Sequence, residues 1–440
     1  MRPRRRVIVV ALDGLGIDLF RGALARGHIP HLAALAGPGG PRAIATRPPA
    51  SPQAAWTTFT TASNPGRHGI FGLTHPGRQL RIRIASADHV RMPTLWDRAA
   101  TDGLRSVVVG LPGTYPARRM SGSMVAGYVV PNPERLCYPR ALSARVAEAG
   151  YRSDIDVRTA ASDPERFAAE LLTSVERRIE VMRQLLKHDR WSLAVLAFTE
   201  LDRWGHAWRR RVAAGDHDAL VVGDSILSSI DRFFGFLREA YGAAKFQVLS
   251  ANGIAPVDHL LNLDGWLRDA GYLHREDGQL GGRTVAFSME AGRIYIHATR
   301  MFADGRLGGG SVLPLMDEIA EGLTALRSPD GALPLQAVVR RRDLYDGPHA
   351  RVGPHLVAVP APGWAVVSSR KLPLVSKAAD FEGGHRHDLA FAVGDAADDG
   401  SPVTLEDLGA TVLADLAVYD DDVDGTALRA GGAKAQRNSR

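Results

Sequence analysis

Residues 7–14 read VIVVALDG, and this stretch decides the fold class. Its six apolar residues, Val7–Leu12, are followed at once by Asp13 and Gly14, and no polar residue alternates among them. Strands that are apolar on both faces are typical of parallel sheets covered by helices on each side. The stretch therefore predicts a buried parallel strand that carries a carboxylate at its carboxyl end.

Other apolar runs have the same character, and helical patterns separate them. These runs are 106–111, 124–130, Leu193–Phe198 and 246–249. The clearest helical pattern covers 170–188, with apolar residues on one stripe, and Leu405–Leu416 predicts a closing helix. Strands that alternate with helices predict a doubly wound α/β fold, in which helices sandwich a mostly parallel sheet.

The sequence also predicts a division into domains, because Gly and Pro become dense in the segment that precedes residue 366. We expect this segment to form a smaller α+β subdomain inserted into the main fold as a cap. The predicted divisions are a core of residues 7–280 and 366–425, an inserted cap of residues 281–365, and basic tails of residues 1–6 and 426–440, which we expect to be disordered.

The charge distribution does not predict a nucleic-acid partner. The formal charge is +6, but eight Arg and Lys residues lie in the two tails without an acid among them, and removing them leaves −2 for the body. The single Cys137 excludes an intramolecular disulfide and a cysteine-based zinc cluster. No run approaches the ~20 apolar residues of a membrane span, so we expect a cytoplasmic protein without a membrane partner.

Side chains that can bind metals follow several of the predicted strands. Asp13 follows the first strand, Asp202 and His206 follow Leu193–Phe198, and His385 lies in the later segment GGHRHD. Asp202 and His206 are four residues apart, so on a helix they would project to the same side. With His385 they make two imidazoles and a carboxylate, a common ligand set for catalytic zinc. The spacing is also compatible with a surface hydrogen bond and an unrelated histidine.

Ser51 is a candidate hydroxyl for a phosphate-binding position. It lies in the segment PPASPQAAWTTFTTASNPGRHGI, after a Pro-rich approach and just before a helix predicted over 54–61. The amino-terminal end of a helix favours an anionic phosphate, because its N–H groups and its dipole point toward the ligand. The alternative, which the position alone leaves open, is that Ser51 only caps the helix.

The run FQVLSANG, residues 246–253, places chemically inert side chains where another strand ends. Ala251 has no functional group, and Asn252 carries no charge. Strand ends of a parallel sheet open onto the ligand-binding edge, so this position is expected to hold reactive residues. The position is therefore typical of a site, but its residues carry no reactive chemistry.

Taken together, these segments resemble the alkaline phosphatase superfamily, and specifically its type I phosphodiesterase/nucleotide pyrophosphatase branch. The resemblance extends over residues 7–425, and its motifs occur in family order. They are VIVVALDGLG, IPHLAALA, PPASPQAAWTTFTTASNPGRHGI, GLPGTYPARRMSGSMVAGYVVP, FTELDRWGHAW, VLSANG, LNLDGWLRDAGYL, GRIYIHATRMFADG, GGHRHDLAFAVG and VTLEDLGATVLADL. The resemblance implies an alkaline-phosphatase-like fold.

The resemblance also implies a two-metal site, usually occupied by zinc in this branch. One metal would be held by Asp202, His206 and His385, all of which are present. The other would be held by Asp13, the nucleophilic hydroxyl, which matches Ser51, and the Asp-His pair of an S-D-H-G motif.

That motif falls on residues 250–253, where Ala251 and Asn252 replace the two ligands. We therefore expect one divalent metal ion, zinc, and an incomplete second site.

The function implied by the resemblance is a metal-dependent hydrolase of a phosphate ester or diester. Its partner would be a small phosphate ester or a nucleotide-like substrate. Because the second metal normally activates the nucleophile, its loss leaves two alternatives open. One is a pseudoenzyme or binding protein that keeps the fold and one metal. The other is an enzyme repurposed for phosphoryl-group chemistry in biosynthesis.

Overall fold

The computed structural model describes residues 5–77, 82–276, 279–290, 292–379, 382–394 and 402–428. The strands in chain order are β1 (Val7–Leu12), β2 (Arg42–Ala43), β3 (Thr74–Pro76), β4 (Ile82–Ile84), β5 (Ser106–Val109), β6 (Gly122–Val125), β7 (Cys137–Tyr138), β8 (Leu193–Phe198), β9 (Lys245–Ser250), β10 (Gly253–Asn262), β11 (Arg275–Glu276), β12 (Gln279–Leu280), β13 (Ala286–Met289), β14 (Arg293–Ile296), β15 (Leu335–Arg340), β16 (Leu356–Pro360), β17 (Gly363–Val367), β18 (Val375–Lys377), β19 (Gly383–Arg386) and β20 (Phe391–Gly394). The helices are α1 (Ile17–Arg26), α2 (Pro30–Ala36), α3 (Pro52–Thr61), α4 (Pro65–His68), α5 (Leu95–Thr101), α6 (Leu142–Glu148), α7 (Thr159–Ser162), α8 (Pro164–His188), α9 (Glu200–Ala213), α10 (His217–Ala240), α11 (Leu263–Asp269), α12 (Gly309–Ala325), α13 (Arg341–Leu344) and α14 (Leu405–Leu416).

The main sheet has the strand order β2-β20-β9-β1-β8-β5-β6-β7. Its central strands, β9, β1, β8, β5 and β6, are parallel, and β1 pairs with β8 on one side and with β9 on the other. The strands β20, β2 and β7 are antiparallel to their neighbours and complete the two edges. The predicted α/β fold with a mostly parallel sheet is confirmed.

Alternate residues of β1 enter two different hydrophobic cores, one on each face of the sheet. Ile8, Val10 and Leu12 pack with side chains from α1, α8, α9 and α10. Val7 and Val9 pack with side chains from α3, α5 and α14 on the opposite face. Both faces of the strand are therefore removed from water, which explains why its sequence is apolar throughout instead of alternating.

A second sheet, of order β13-β14-β16-β15, packs with α11 and α12 around a hydrophobic core of its own. This core takes in Leu261, Leu263, Leu267 and Leu273, which precede the range 281–365 predicted for the cap. The predicted cap boundaries stay a prediction, and a unit defined by this packing would begin near Leu261. The long strand β10 leads from the main sheet into this unit.

The predicted tails fall mostly outside the described residues, which begin at residue 5 and end at residue 428. Arg6 is described, and its guanidinium carbon lies 4.8 Å from the centroid of the Trp191 ring. Within the described ranges, no helix combines the length and the apolarity that crossing a bilayer requires.

Candidate metal centre and active site

Helix α9 positions two of the predicted ligands. It begins immediately after β8, so Asp202 lies in its first turn and His206 lies one turn later on the same side. The start of the helix is fixed by Glu200, which is buried and accepts a 2.9 Å hydrogen bond from Nε of the buried Arg178. Two buried charges that satisfy each other hold this helix end rigidly against α8.

Strand β19 brings His385 to the same place from 179 residues further along the chain. Its first residue, Gly383, lies so close to α9 that a Cβ at this position would be 2.3 Å from the carbonyl oxygen of Gly205. Only glycine allows this approach, which explains the glycine at position 383. The strand also pairs with β10, where His385 lies opposite Ile254.

Asp202, His206 and His385 converge on one point, and we call them the Asp-His cluster. Nε2 of His206 and Nε2 of His385 are 3.1 Å apart. Oδ1 of Asp202 lies 3.3 Å from Nε2 of His385 and 3.6 Å from Nε2 of His206. Tetrahedral coordination with ligand bonds of about 2.0–2.2 Å separates two ligand atoms by about 3.3–3.6 Å. The cluster therefore has the dimensions of three corners of a zinc site.

The hydrogen bonds of the cluster orient the ring of His206 and leave one oxygen of Asp202 without a donor. Nδ1 of His206 donates to the carbonyl oxygen of Gly383 at 2.8 Å, so in the neutral ring Nε2 carries the lone pair. Oδ1 of Asp202 is buried and has no hydrogen-bond partner among the described residues. A buried carboxylate oxygen without a partner is costly unless a cation is bound to it. The residues present thus fit a bound divalent ion.

The electrostatics of the cluster also suit metal ligands. Burial, the largest cause, lowers the pKa of His385 to about 3, so the ring is neutral near pH 7. Burial acts to raise the pKa of Asp202, but His206 and Arg203 outweigh it and hold that pKa below its ordinary value. A neutral imidazole and an ionised carboxylate are the protonation states that a metal requires.

The carboxylate of Asp13, at the end of β1, has different partners. It is fully buried, and its Oδ1 accepts a 2.7 Å hydrogen bond from Nε1 of Trp56. Its Oδ2 accepts a 3.0 Å hydrogen bond from the hydroxyl of Tyr128. Burial, followed by the charge of Asp202, raises the pKa of Asp13 to about 7. The predicted role of Asp13 as a metal ligand stays a prediction, because protein donors already satisfy both oxygens.

The turn after Asp13 packs directly against α9. Gly14 has φ +75°, and a Cβ there would lie 2.6 Å from Cα of Asp202. The backbone N–H of Ile254, just beyond β9, donates to the carbonyl oxygen of Gly14 at 3.0 Å. The ends of β1 and β9 and the start of α9 therefore meet at one edge of the sheet.

At this edge, Ala251 and Asn252 are both buried. Ala251 packs in the hydrophobic core between the sheet and α3. The amide oxygen and nitrogen of Asn252 have no hydrogen-bond partner among the described residues. With no ligand at position 251, a neutral amide at 252 and Asp13 already hydrogen-bonded, the second position does not fit a bound metal ion.

Arg203 follows Asp202 in the chain and lies between the two halves of the site. Its Nη1 donates to Oδ2 of Asp202 at 2.6 Å, and its Nε donates to Oδ1 of Asp154 at 2.5 Å. Its guanidinium carbon lies 4.3 Å from the centroid of the Tyr128 ring. Burial acts to lower the pKa of Arg203, but Asp202 and further partners outweigh it and raise that pKa, so the side chain stays charged.

Ser51 precedes α3 and is 5% exposed. Its side chain makes no capping hydrogen bond, although its position before Pro52 is that of an N-cap. The simple capping interpretation of Ser51 therefore has no support in the geometry. The hydroxyl borders the same cavity as His206, His385 and Arg203.

This cavity has a volume of about 490 Å³ and is mostly apolar. It lies between the main sheet and the second unit, so its walls come from both. Its apolar wall includes Leu73, Val257, Leu260, Val359, Trp364 and Val366. Of its charged neighbours, Arg386 is paired with Asp388, and Glu290 accepts hydrogen bonds from Thr74 and Arg293.

Sequence reasoning missed three residues of this site. None of the three was assigned a role from the sequence, yet the indole N–H of Trp56 and the hydroxyl of Tyr128 donate to Asp13, and Arg203 donates to Asp202. Arg203 carries a signal that could have been used, since it follows a predicted ligand directly. Tyr128 and Trp56 carry none, because their hydrogen bonds to Asp13 span 115 and 43 residues of sequence.

Similar solved structures agree on the fold. Phosphonoacetate hydrolase from Sinorhizobium meliloti 1021, in complex with phosphonoacetate, is 17% identical with a TM-score of 0.62; the match covers 94% of this chain and 96% of that one. Murine ectonucleotide pyrophosphatase/phosphodiesterase 5, in complex with AMP, is 14% identical with a TM-score of 0.52, covering 96% and 97%. The human form of the latter is 16% identical with a TM-score of 0.54, covering 96% and 97%.

A search of curated proteins found no match to this sequence. The sequence model of the family described as type I phosphodiesterase/nucleotide pyrophosphatase, however, matches residues 7–388. This range contains β1 with Asp13, α3 with its preceding Ser51, α9 and β19, and thus every element that builds the site. The chain belongs to the type I phosphodiesterase/nucleotide pyrophosphatase family.

Proposed function

We propose that this protein is a metal-dependent hydrolase of phosphorus esters that works with one divalent ion, zinc, held by Asp202, His206 and His385. The observation that carries the proposal is the Asp-His cluster, whose three ligand atoms lie 3.1–3.6 Å apart. Two imidazoles and one carboxylate are a common set for catalytic zinc, in which a fourth position stays open for water or substrate. The family match and the shared cavity with Ser51 support the same function.

When bound, the metal ion would supply positive charge for a phosphoryl oxygen. The chain's own residues do the rest. His206 is oriented by its hydrogen bond to Gly383, which fixes the ring nitrogen that faces the site. Ser51 is the proposed nucleophile: its oxygen attacks phosphorus, the P–O bond to the ester oxygen breaks, and the hydroxyl proton leaves with that oxygen as the alcohol or phenol. Water then hydrolyses the phosphoseryl group, which restores the Ser51 hydroxyl. The amino-terminal end of α3 favours the negative charge of the phosphoryl oxygens.

The cavity favours a substrate whose remaining substituent is apolar. Most of its wall is hydrocarbon, and Arg386 is already paired with Asp388. A ribose or a second phosphate would leave polar groups without partners against Val359 or Trp364, which is unfavourable. A phosphate or phosphonate ester with an aryl or alkyl group would instead bury that group from water, at about 25 cal/mol per Å².

A test uses the full-length protein loaded with zinc and three p-nitrophenyl esters. They are p-nitrophenyl phenylphosphonate, bis(p-nitrophenyl) phosphate and thymidine 5′-(p-nitrophenyl phosphate). We expect turnover of the first two, with kcat/KM at least about tenfold above that for the thymidine ester. Equal or better turnover of the thymidine ester would contradict the apolar preference.

One pair of variants tests the cavity wall directly. Leu260→Gln places an amide in the wall at a position that is only partly buried, so the fold should tolerate it. We expect kcat/KM for the phenylphosphonate to fall about tenfold while zinc content stays unchanged. The matched control is Leu313→Gln, at an exposed leucine of α12, which should change neither quantity.

A second candidate function is a binding protein without turnover, and the replaced residues Ala251 and Asn252 favour it specifically. A protein that binds one zinc per chain and an aryl phosphonate, yet hydrolyses none of the three esters, would support this candidate and contradict the hydrolase. The repurposed biosynthetic enzyme and the cytoplasmic location stay predictions. The proposed partner is a small molecule in either case.

A further inference from the structure

We propose that the guanidinium of Arg203 has taken the place of the second metal ion as the positive charge that binds the phosphoryl group beside Ser51. The inference rests on the proposed function for its substrate, but it concerns a part of the site that the metal-binding residues do not explain. It is carried by the contacts of Arg203 and of its neighbours Asp13 and Tyr128.

The second metal position has been rebuilt as a hydrogen-bonded group. We call Asp13, Trp56, Tyr128 and Arg203 the replacement cluster. An ion bound to Asp13 would compete for its oxygens with the 2.7 Å hydrogen bond from Trp56 and the 3.0 Å hydrogen bond from Tyr128. If it displaced one of them, the loss of a buried hydrogen bond to a charged group would cost about 1.5–3 kcal/mol. No ligand from position 251 would offset this cost.

Arg203 is held so that one end of its guanidinium remains available. Nη1 binds Asp202, Nε binds Asp154, and the ring of Tyr128 lies against one face of the plane. No group in the described part of the chain accepts a hydrogen bond from Nη2. The side chain is 14% exposed and borders the cavity together with Ser51. The two N–H bonds of Nη2 can therefore reach an oxygen of a bound phosphoryl group.

A guanidinium suits this role in one respect and differs from a metal in another. It stays protonated, and its planar N–H groups match the oxygens of phosphate, so it can bind the substrate and the developing negative charge. It cannot coordinate the oxygen of Ser51 and so does not acidify the hydroxyl as a metal would. We therefore expect phosphate binding to depend on Arg203 even at acid or neutral pH, where Ser51 is protonated.

The experiment compares Arg203→Met and Arg203→Lys with the unaltered full-length protein, all loaded with zinc. Zinc per chain is measured by elemental analysis, and the Kd of inorganic phosphate by calorimetry. We expect about one zinc per chain in all three proteins, and a Kd at least about tenfold higher in Arg203→Met. Arg203→Lys should recover part of the affinity, because it keeps the charge but loses the planar fork.

The control is Arg211→Met, which removes another arginine of α9 that is paired with Asp216 instead of facing the cavity. It should leave the Kd of phosphate unchanged.

If circular dichroism shows that Arg203→Met does not fold, the comparison is made with Arg203→Lys alone, for which we expect a Kd of phosphate at least about threefold higher than in the unaltered protein. Added guanidinium chloride should restore part of the ester turnover of Arg203→Met, which a purely structural role of Arg203 would not allow.

Two results would overturn the inference. One is a second zinc ion per chain in the unaltered protein. The other is a Kd of phosphate that is the same in all folded Arg203 variants. The result is separable from the proposed function: a protein that hydrolyses no ester, but whose phosphate affinity falls with Arg203→Met, would refute the hydrolase and leave this inference standing.

Discussion

The Asp-His cluster and the replacement cluster lie side by side, and they differ in how their carboxylate oxygens are hydrogen-bonded. In the first, Oδ1 of Asp202 is buried without a hydrogen-bond partner among the described residues and faces two ring nitrogens. In the second, both oxygens of Asp13 accept hydrogen bonds from protein donors. A buried carboxylate oxygen that lacks a donor, as Oδ1 of Asp202 does, indicates a position kept for a cation, whereas a carboxylate with donors on both oxygens indicates a position that the protein has filled itself.

The difference also teaches how such a site can lose a metal without losing its fold. Removing two ligands alone would leave Asp13 as a buried charge without compensation, at a cost of several kcal/mol. Trp56, Tyr128 and Arg203 provide that compensation from three separate elements. Asn252 is the exception, because its buried amide has no partner among the described residues.

The largest expected effect comes from breaking the Asp-His cluster. Asp202→Ala removes one of three ligands, so zinc content should fall from about one per chain to near zero. Ester turnover should fall more than about a thousandfold, since several kcal/mol of electrostatic stabilisation are lost. Elemental analysis and p-nitrophenol release measure the two effects.

The control for this prediction is His387→Ala, which removes the neighbouring histidine of the GGHRHD segment. It should keep about one zinc per chain, because His387 is not a member of the cluster. A loss of zinc in His387→Ala together with zinc retained in Asp202→Ala would show that the ligands have been misassigned.

The next largest effect tests whether Ser51 works without a metal beside it. Ser51→Ala should lower kcat by about 10²–10³ while leaving zinc content unchanged, because the nucleophile is lost and the ligands are not. Ser51→Thr keeps the hydroxyl and should keep measurable turnover. A fall of less than about threefold in Ser51→Ala would show that water attacks phosphorus directly, and the phosphoseryl step would then be excluded.

A third effect separates hydrogen bonding from metal binding in the replacement cluster. Tyr128→Phe removes the donor to Oδ2 of Asp13 but keeps the ring that lies against Arg203. We expect the free energy of unfolding to fall by about 1–3 kcal/mol, because a buried acceptor loses its partner. Urea denaturation of the zinc-loaded protein measures this change.

Zinc content decides how to interpret that result. It should stay at about one per chain in Tyr128→Phe, since Asp13 keeps its hydrogen bond from Trp56 and position 251 still offers no ligand. A rise toward two zinc ions per chain would mean that the hydroxyl of Tyr128 was the only obstacle to a second ion. The replacement cluster would then be a weaker barrier than its contacts indicate.

The Asp-His cluster could be predicted from the sequence, whereas the replacement cluster could not, and the difference has a physical reason. Asp202 and His206 share a helix face at fixed spacing, and the apolar runs such as Val7–Leu12 fix the strands that surround them. The partners of Asp13, in contrast, depend on where the indole of Trp56 points and on how the loop at Tyr128 returns to the sheet. Those orientations follow from tertiary packing, which no local pattern encodes.

Domain boundaries depend on tertiary packing in the same way, and the predicted cap is an example. The Gly- and Pro-rich composition predicts a cap of residues 281–365, and this boundary stays a prediction. Leu261 and Leu267 belong to the core of the second unit while lying in ordinary strand and helix patterns. Gly- and Pro-rich composition marks where loops occur, whereas packing assigns each buried leucine to the core that it contacts. The two boundaries differ by about twenty residues here, since the predicted cap begins at residue 281 and its core at Leu261.

The smallest expected effect near neutral pH is on the free energy of unfolding, and it comes from His68. This residue ends α4, which follows α3, the helix that Ser51 precedes. Its Nδ1 accepts a hydrogen bond from the N–H of Ile70, so Nε2–H donates to the hydroxyl of Thr58 at 3.0 Å. The neutral ring satisfies both contacts. Burial, the largest cause, lowers the pKa of His68 from 6.5 to about 3.

Below about pH 6.5 the unfolded chain therefore takes up a proton that the folded protein does not, and stability falls as pH falls. The slope approaches about 1.4 kcal/mol per pH unit from this one group until the folded ring itself titrates near pH 3. His68→Gln, which can still donate to Thr58, should flatten the dependence between pH 6.5 and 4, measured by urea denaturation at each pH. The exposed His217→Gln should keep the original slope, and an unchanged slope in His68→Gln would show that His68 is protonated in the fold.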